Sequence, residues 1–316
     1  MRGMQAEGGA LQWREQPAVE LADGQVRVAI KAAGLNRADL LQKAGMYPPP
    51  PGVTQVLGLE CAGEVIETAG QTRWKVGDRV CALLAGGGMA EEIVVDAGHL
   101  LPVPAELSWA DAAAIPEVFS TAWLNIFELG AAKAGEKVLI HAGASGVGTA
   151  AIQLCKVMGN PCWVTLSSDD KLAACVALGA EGGVLRQHGI KTLMPNGPFD
   201  VVLDPVGATY AQDHLDLIGL DGRWVLIGLM GGREAHLDLA KLLVKRIQLT
   251  GSTLRTRSAE FKADLLARME AKLWPHFVSG ALKPLVAKTY GFDQAEEAFA
   301  ELARDQIVGK IVLLRD

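Results

Sequence analysis

A glycine-rich turn at residues 141–148 constrains the fold of this chain more than any other segment. The apolar run before it predicts a buried strand, the turn reads His-Ala-Gly-Ala-Ser-Gly-Val-Gly, and the apolar residues 149–154 predict a helix. In this arrangement, backbone N–H groups and the N-terminus of the helix hold the pyrophosphate of a dinucleotide. The alternative is an ordinary turn that needs small residues for packing, since the glycines follow G-x-x-G-x-G and not G-x-G-x-x-G. We predict that the cofactor contacts Ala144, Ser145, Gly146, Val147 and Gly148.

Strand-like and helix-like segments alternate after this turn. Parallel strands joined by helical crossovers form a doubly wound sheet, so the pattern predicts a six-stranded, Rossmann-type dinucleotide-binding domain. The five further strands are predicted at Cys162–Leu166, Gly183–Arg186, Asp200–Asp204, Arg223–Gly228 and Arg246–Ser252.

The segments on either side of this domain have a different character. Residues 1–116 contain short β-like runs punctuated by Gly and Pro, which predicts a β-rich domain. The C-terminal part reads as a long amphipathic helix at Ser258–Ser279, a second helix at Phe292–Leu302 and a last strand at Lys310–Leu314. It is too short to be a domain, so we expect it to pack onto the N-terminal one. The predicted domains are 1–117 completed by 262–316, and 118–261.

Composition limits the class of protein. Half of the 316 residues are hydrophobic and 21% are charged, which suffices for well-formed cores, and no apolar run is long enough to span a membrane. The net charge is −6, and the sequence has no basic stripe that would bind nucleic acid. Five scattered cysteines, an odd number, favour a reducing compartment. We therefore expect a soluble, cytoplasmic protein that binds neither nucleic acid nor membranes.

Seven short motifs are distributed along the chain. They are residues 34–39 (GLNRAD), 47–52 (YPPPPG), 58–60 (GLE), 114–116 (AIP), 141–148, 221–232 (DGRWVLIGLMGG) and 309–313 (GKIVL). These motifs resemble the medium-chain dehydrogenase/reductase superfamily, and within it the quinone oxidoreductases, in particular the subgroup that includes the tumour-suppressor-induced quinone oxidoreductase. The resemblance implies an α/β protein in which a β-rich, GroES-like catalytic domain accompanies the Rossmann-type domain.

The zinc ligands of the family are missing from the matching positions. Zinc-dependent alcohol dehydrogenases of the superfamily carry a cysteine shortly after the first β-sheet and a Gly-His-Glu motif, where this chain has Asn36 and Gly58-Leu59-Glu60. No C-x-x-C-x-x-C run for a structural zinc occurs in the sequence. We therefore expect no metal, which leaves the reduction of an electrophilic acceptor as the chemistry.

A quinone, or an alkene conjugated to a carbonyl, is such an acceptor. Hydride transfer places negative charge on the acceptor oxygen, and one donor can stabilise that charge before water supplies a proton. The resemblance places Asn36 and Tyr47 beside the nicotinamide, with Tyr47 as donor to the acceptor oxygen or contact to the cofactor, and Asn36 orienting either ring. The alternatives are a Tyr47 ring that packs against Pro48–Pro51 and an Asn36 amide that caps a turn.

The end of the second strand of the nucleotide domain indicates the cofactor. NAD sites place a carboxylate there, whereas NADP sites supply cationic or hydroxyl donors. Here Ser167–Ser168 end the strand and Lys171 follows a turn later, which predicts NADPH (NADP+). Asp169–Asp170 oppose this assignment, although acids are favoured in any first helical turn. Arg186 is expected to contact adenine or phosphate, or else to be a solvated charge at a strand end.

Further site residues carry over from the family. Thr121 resembles a hydroxyl beside the nicotinamide, or caps the helix Ala122–Leu129. Asp204 either contacts ribose or caps a turn. The residues that follow the fifth and sixth strands are expected to line the nicotinamide. They are Gly228, Leu229, Met230, Ser252 and Leu254.

The predicted function is metal-free quinone reduction by NADPH. One alternative is an NADPH-dependent alkenal or enoyl reductase, which shares the fold and the hydride donor and differs in pocket shape. A second is a non-catalytic nucleotide-sensing or RNA-binding relative, which the acidic charge and the presence of Tyr47 and Asn36 disfavour. The resemblance also implies a homodimer or homotetramer, in which Arg246–Ser252 pairs across a two-fold axis.

Overall fold

The structure is a computed structural model that describes residues 1–315. The chain divides into two units, one formed by Met1–Ser120 with the segment from Leu254 onward, and the other by Thr121–Thr253. The domain limits expected from the sequence, 1–117 with 262–316 and 118–261, remain a prediction. Within residues 1–315, no helix is long and apolar enough to cross a bilayer.

The first unit begins with antiparallel strands. Its longest strand buries alternate residues, because Val26, Val28 and Ile30 share the face that packs on the core. A helix near its end continues into the second unit and is followed by the π-helical segment Leu124–Leu129. The elements are β1 (Arg2–Glu7), β2 (Ala10–Glu15), β3 (Gln25–Gly34), α1 (Arg37–Lys43), β4 (Glu60–Thr68), β5 (Arg79–Leu83), β6 (Glu92–Asp96), β7 (Leu100–Pro102), α2 (Trp109–Ala113) and α3 (Pro116–Trp123).

The second unit alternates strands and helices. Its elements are β8 (Val138–Ile140), α4 (Gly146–Met158), β9 (Cys162–Leu166), α5 (Asp169–Leu178), β10 (Gly182–Leu185), β11 (Phe199–Asp204), α6 (Ala211–Leu217), β12 (Ile218–Leu226), α7 (Leu239–Lys245) and β13 (Gln248–Gly251). All six strands are parallel, in the order β10-β9-β8-β11-β12-β13. This is the predicted Rossmann-type sheet, and that fold class is confirmed. The order reverses between β8 and β11, where ligands of such sheets bind.

The C-terminal segment completes the first unit. It contains α8 (Ala259–Val278), β14 (Val286–Gly291), α9 (Ala295–Ala303) and β15 (Lys310–Leu314). β15 pairs antiparallel with β3, with Val312 opposite Gly34, so the last strand lies inside the sheet β14-β15-β3-β4-β5-β7. α8 turns Leu265, Met269 and Leu273 inward at a spacing of four residues, as its amphipathic pattern predicts.

One local expectation is wrong. Thr121 does not cap a helix that starts at Ala122, because it lies inside α3, five residues after the helix begins at Pro116. Proline suits the first turn of a helix, since it lacks the N–H that would have no partner there. The carbonyl oxygen of Thr121 instead accepts a hydrogen bond from Nδ2 of Asn125 at 2.7 Å.

Candidate active site

The glycine-rich turn joins β8 to α4 at the carboxyl edge of the parallel sheet. Ser145 caps α4, because its Oγ accepts a hydrogen bond from the backbone N–H of Gly148 at 3.0 Å. A Cβ on Gly148 would lie 2.5 Å from the carbonyl oxygens of Ala142 and Gly143. Only glycine therefore lets the helix start this close to the turn. The unpaired N–H groups of a helical first turn, held in this way, suit a phosphate.

The same turn packs against the next strand. A Cβ on Gly143 would lie 2.6 Å from Cβ of Val164, and the N–H of Gly143 donates to the carbonyl oxygen of Thr165 at 3.0 Å. The packing role considered as the alternative is thus present at Gly143 and Gly148. This packing role is compatible with phosphate binding. Packing requires that the two glycines have no side chain, whereas phosphate binding uses backbone N–H groups.

Parallel register places two predicted cofactor segments side by side. Leu166 of β9 lies opposite Leu185 of β10, so Ser167–Ser168 and Arg186 follow neighbouring strands at one edge. Oγ of Ser168 accepts a hydrogen bond from the N–H of Lys171 at 3.4 Å and caps α5. The side chain of Lys171 is only 6% exposed, whereas Arg186 is exposed. Arg186 is therefore the more accessible cation beside the end of β9.

The loops after β11 and β12 meet at the same edge. The N–H of Met230 donates to the carbonyl oxygen of Pro205 at 3.1 Å, and a Cβ on Gly228 would lie 2.9 Å from that oxygen. Leu229 and Met230 are 53% and 49% exposed. After β13, the buried Oγ of Ser252 has no hydrogen-bond partner among the described residues. These positions leave apolar side chains and one unpaired hydroxyl at the edge where a ligand is expected.

A buried polar network lies beneath this edge, and sequence reasoning did not identify it. Nδ1 of His141 lies 2.9 Å from Oγ1 of Thr165, and its Nε2 lies 2.7 Å from Nε2 of His214. Nδ1 of His214 lies 3.8 Å from Oδ2 of Asp204. Oδ1 of Asp204 accepts from the N–H groups of residues 206 and 207 at 2.7 and 3.0 Å, and its Oδ2 accepts from Nε1 of Trp224 at 2.9 Å. Asp204 therefore caps its turn, which is the second of the two roles considered for it.

Both imidazoles of this network are fully buried. Burial lowers the pKa of His141 to about 3, and burial with the neighbouring His141 lowers the pKa of His214 well below its usual value. Burial also raises the pKa of Asp204. The folded protein therefore holds two neutral histidines, one of which must donate and the other accept in the bond between them.

In the first unit, Asn36 belongs to a buried ion-paired cluster. Its Nδ2 donates to Oε1 of Glu60 at 2.9 Å, and its Oδ1 accepts from Nζ of Lys310 at 2.6 Å. Lys310 lies 2.6 Å from the same Oε1 and also donates to the carbonyl oxygen of Leu35. Oε2 of Glu60 accepts from the backbone N–H of Glu117 at 2.9 Å. The amide of Asn36 is thus occupied by protein partners, which disfavours a direct role in orienting a ring.

The start of α1 explains how Asn36 is held. Its backbone N–H donates to Oδ2 of Asp39 at 2.8 Å, and Oδ1 of Asp39 accepts from the N–H of Gly58 at 3.1 Å. Asp39 is fully buried, and burial raises its pKa to about 6. Asn36 is the N-cap residue of the helix, and its side-chain amide is bonded to Glu60 and Lys310.

Tyr47 lies in a different setting. Cζ of Arg255 is 5.0 Å from the centre of its ring, and Nη1 of Arg255 donates to the Tyr47 carbonyl oxygen at 3.3 Å. Arg255 is 4% exposed and also donates to Oε1 of Gln42 at 2.7 Å and to the carbonyl oxygen of Ala85 at 2.7 Å. The ring is half-buried, and burial raises the pKa of its phenol. Among residues 1–315 the phenol oxygen has no hydrogen-bond partner, so it is free to donate to a ligand.

The predicted site residues divide between the two units. Asn36, Tyr47 and the buried Leu254 belong to the first unit, and the others belong to the second. Sequence reasoning missed a group of buried ionisable residues, of which His141 and Lys310 stand beside apolar strand residues in the sequence. The group consists of His141, His214, Arg255, Lys262 and Lys310.

The residues at the positions matching the family's zinc ligands do not fit a zinc ion. Asn36 and Leu59 offer neither thiolate nor imidazole, and the carboxylate of Glu60 is bound to the ammonium of Lys310, which repels a cation. Burial raises the pKa of the adjacent Cys61 to about 12, so its sulfur stays protonated. Within residues 1–315, no three His, Cys, Asp or Glu side chains are grouped to hold a metal.

Two family models match the chain. The model described as an alcohol dehydrogenase GroES-like domain matches residues 22–105, and the model described as a zinc-binding dehydrogenase matches residues 146–271. The first match lies within residues 1–117, where a GroES-like domain was expected, and the second extends past residue 261, the limit expected for the dinucleotide-binding domain.

Curated relatives cover most of the chain. A quinone oxidoreductase-like protein 2 homolog of Nematostella vectensis is 30% identical over 301 residues, which cover 93% of this chain and 82% of the relative. The polyketide synthase GfsB of Streptomyces halstedii is 34% identical over 298 residues, or 93% of this chain. This chain spans only 5% of the length of that synthase.

Solved structures resemble the chain over nearly its full length. The quinone oxidoreductase of Thermus thermophilus, studied also as a complex with NADPH, has a TM-score of 0.84 and 31% identity, covering 99% of this chain and 100% of the other. The JamJ enoyl reductase has a TM-score of 0.87 and 26% identity, covering 100% and 99%. Both similarities cover residues of both units.

Proposed function

The chain belongs to the medium-chain dehydrogenase/reductase superfamily of oxidoreductases, and we propose that it is an NADPH-dependent quinone reductase that works without a metal. The proposal rests mainly on the cluster of Asn36, Glu60 and Lys310, because a buried ammonium stands among the residues that match the family's zinc ligands. An alcohol needs a Lewis acid or a strong base to lose its proton, whereas a quinone is already electrophilic. The quinone oxidoreductases among the similar proteins support this substrate class.

The glycine-rich turn fits a nicotinamide dinucleotide, which supplies a hydride when it is bound. We assign its pyrophosphate to the first turn of α4, with Ala144, Ser145, Gly146, Val147 and Gly148. Thr121, Leu229, Met230, Ser252 and Leu254 are proposed to contact the nicotinamide half. Tyr47 is the proposed donor to the acceptor oxygen, because its hydroxyl is free and Arg255 fixes its ring. A neutral donor in place before reaction stabilises the developing negative charge without reorganisation.

We propose NADPH as the preferred cofactor. Ser167 and Ser168 place hydroxyls where a carboxylate would bind the ribose of NAD, and the exposed guanidinium of Arg186 stands beside them. A guanidinium binds phosphate through paired, charge-assisted hydrogen bonds. Lys171 is the second candidate cation, on the first turn of α5.

Enone reduction is the second candidate. The observation that favours it is the similarity to JamJ enoyl reductase, whose TM-score of 0.87 is comparable with the 0.84 of the quinone oxidoreductase. Both reactions use the same hydride donor, and they differ in whether hydride reaches a quinone or a carbon conjugated to a carbonyl. The acceptor therefore has to be found by experiment.

Steady-state oxidation of NADPH and of NADH against a panel of quinones and α,β-unsaturated aldehydes tests the proposal. We expect turnover with quinones, a preference for NADPH, and no loss of activity after exhaustive chelation. Turnover confined to enones would favour the second candidate. Turnover that requires a stoichiometric metal would contradict the proposed mechanism.

We further propose that the protein is a cytoplasmic homodimer or homotetramer. β13 is an edge strand of its sheet, and beside it Leu243 and Val244 of α7 are 75% and 70% exposed. Apolar side chains next to an open strand favour pairing with a second copy. Light scattering that shows a monomer at micromolar concentration would refute this assembly. All five cysteines are unpaired, which supports a reducing compartment.

A further inference from the structure

The buried histidine pair joins three strand ends at the carboxyl edge of the parallel sheet. His141 is the first residue of the glycine-rich turn, and its Nδ1 lies 2.9 Å from Oγ1 of Thr165 in β9. Its Nε2 lies 2.7 Å from Nε2 of His214 on α6, and Nδ1 of His214 faces Oδ2 of Asp204 at 3.8 Å. One chain of side-chain contacts therefore runs from the end of β9, past the end of β8, to the end of β11.

The acceptor at one end of this chain fixes which imidazole nitrogens carry hydrogen. The carboxylate of Asp204 accepts bonds from the N–H groups of residues 206 and 207 and from Nε1 of Trp224. A lone pair on Nδ1 of His214 would be repelled by this carboxylate, so Nδ1 carries the hydrogen. Nε2 of His214 then accepts, and Nε2 of His141 must be the donor. Nδ1 of His141 in turn accepts from the hydroxyl of Thr165.

The glycine-rich turn depends on how His141 is held. The next residue, Ala142, has a φ of +53°, in the left-handed region that side chains other than glycine rarely adopt. Such a residue keeps this conformation only where its surroundings enforce it. The N–H of His141 donates to the carbonyl oxygen of Leu203 at 3.1 Å, and the N–H of Ser145 donates to that of Ala142 at 2.9 Å. The position of His141 therefore determines where α4 begins.

The other end of the chain holds the loops after β11 and β12. Asp204 closes the turn at residues 206 and 207 through the two N–H groups that it accepts. This turn carries the loop after β12, because the N–H of Met230 donates to the carbonyl oxygen of Pro205 at 3.1 Å and that of Gly231 to Val206 at 2.7 Å. A shift of Asp204 would therefore displace the loop that is proposed to contact the nicotinamide half.

We propose that His141 and His214 are positioning residues for the dinucleotide, because one directed hydrogen bond, from His141 to His214, locks the glycine-rich turn and the turn after β11 in a single arrangement. Both side chains are at most 1% exposed, so they act through the turns and not by touching the cofactor. A ligand that binds only the locked arrangement binds more weakly when fewer molecules hold it. This role rests on the proposed function, which assigns the dinucleotide to this edge.

The first test measures cofactor binding without an acceptor, by fluorescence titration of NADPH and of NADH. His214→Phe leaves Nε2–H of His141 without its acceptor, and we expect the Kd of both cofactors to rise by the same factor, about tenfold, if about a tenth of the molecules keep the locked arrangement. The factor is the same because the 2′-phosphate is not contacted. His214→Gln supplies an amide oxygen that can accept from His141, so it should return both Kd values to within about threefold of wild type.

A matched control separates positioning from general loss of stability. Phe199→Leu alters a fully buried side chain at the opposite end of β11, so it should lower Tm and leave both Kd values unchanged. Wild-type Kd values in His214→Phe, or equal weakening by Phe199→Leu, would overturn the inference. If His214→Phe does not fold, Thr165→Val removes the hydroxyl that donates to His141 and should raise both Kd values, whereas Thr165→Ser should not. Wild-type Kd values in Thr165→Val would likewise overturn it.

The second test reads the direction of the hydrogen bond in wild type. Nitrogen-15 NMR of the histidine side chains should show hydrogen on Nε2 of His141 and on Nδ1 of His214, the signals of His214 being identified by their loss in His214→Gln. The reverse pair of tautomers, or exchange between the two pairs, would contradict a single locked arrangement. If wild type binds neither NADPH nor NADH, the proposed function fails and this role with it. If wild type binds them and His214→Phe binds them equally well, the positioning role alone fails.

Discussion

Nζ of Lys310 lies 2.6 Å from Oε1 of Glu60, and the two side chains are 4% and 0% exposed. The pair connects β15, near the C-terminus, to β4 in the N-terminal part of the same unit. Asn36, the carbonyl oxygen of Leu35 and the N–H of Glu117 are the further hydrogen-bond partners of the two charges. Neither charge has access to water, so each depends on the other for its stability.

Lys310→Met should lower the free energy of unfolding by about 3–5 kcal/mol, because it leaves the charge of Glu60 buried without its partner. The double variant Lys310→Met/Glu60→Gln should recover a large part of this loss. Denaturation in urea measures both. The control is Lys288→Met, whose ammonium forms a surface pair with Glu301 at 3.9 Å and should contribute less than about 1 kcal/mol. Equal effects of the two single variants would contradict the importance of burial.

The paired histidines predict loss of stability in acid. The pKa values of His141 and His214 are lowered on folding, so the folded protein binds fewer protons at these sites than the unfolded chain. Their contribution is therefore complete above the unfolded pKa of about 6.5 and is lost as the pH falls below it. At about pH 5 the histidine is protonated in the unfolded chain but neutral in the folded protein. For each such histidine, the free energy of unfolding is about 2 kcal/mol lower at this pH than at neutral pH.

The variant His214→Gln isolates this effect. Glutamine keeps a hydrogen-bonding group beside His141 but does not titrate, so the unfolding free energy should depend less steeply on pH between about 6.5 and about 5. Comparison with wild type cancels the opposite contribution of Asp204, whose pKa is raised and which favours the folded state in acid. His99→Gln, which removes an imidazole bonded to the carbonyl oxygen of Ala259 near the surface, is the control. Identical slopes for wild type and His214→Gln would refute the prediction.

Cofactor preference depends on the end of β9. Arg186→Ala should weaken NADPH binding by about 1–3 kcal/mol, as the loss of a charge-assisted contact does, and should leave NADH binding nearly unchanged. Lys171→Ala should lower stability as well as affinity for NADPH, because its side chain is 6% exposed. Calorimetric titration with each cofactor measures the difference. Lys133→Ala, which removes an exposed cation just before β8, is the control. If the variants weaken NADPH binding and NADH binding equally, neither residue binds the 2′-phosphate.

The elements with the clearest local pattern were predicted at their observed limits. Cys162–Leu166 and Lys310–Leu314 are strands at those residues, because a run of this length that is mainly apolar and is bounded by turn-forming or polar residues favours a strand. β12 was predicted from Arg223 but begins at Ile218. It passes through Asp221, whose φ is +58°, and the register against β11 shifts there. Asp221 and Gly222 are residue types that predict a turn, and they belong to β12 because of the strand that lies next to it.

The candidate site was predicted less completely than the fold. The glycine-rich turn is visible because its residues are contiguous. The partners of Asn36 are 24 and 274 residues away, and those of His141 are 24 and 73 residues away. Such pairings depend on how strands and helices pack against each other, and they cannot be recognised from the local sequence. Local sequence therefore predicts a role for Asn36 in chemistry or in capping, whereas in the structure its amide is bonded to Glu60 and Lys310.

Tyr47→Phe separates chemistry from packing at the proposed acceptor site. The ring contact with Arg255 survives this change, since phenylalanine also presents an aromatic face, whereas the free hydroxyl is lost. If the hydroxyl stabilises the developing oxyanion, kcat toward quinones should fall by about tenfold or less. That is smaller than the roughly 10²–10³-fold cost of removing an oxyanion donor, because a quinone needs little activation.

Thermal stability and NADPH affinity should remain near wild type in Tyr47→Phe, while Tyr47→Ala should also lose stability through the cavity it creates. Tyr290→Phe is the matched control, because it removes a phenol of the same unit that stands beside Lys288. Steady-state kinetics with several quinones and one enone measure the effect. Full kcat/KM of Tyr47→Phe with every acceptor would assign Tyr47 to packing alone, and an ordered water would then have to serve as donor to the acceptor oxygen.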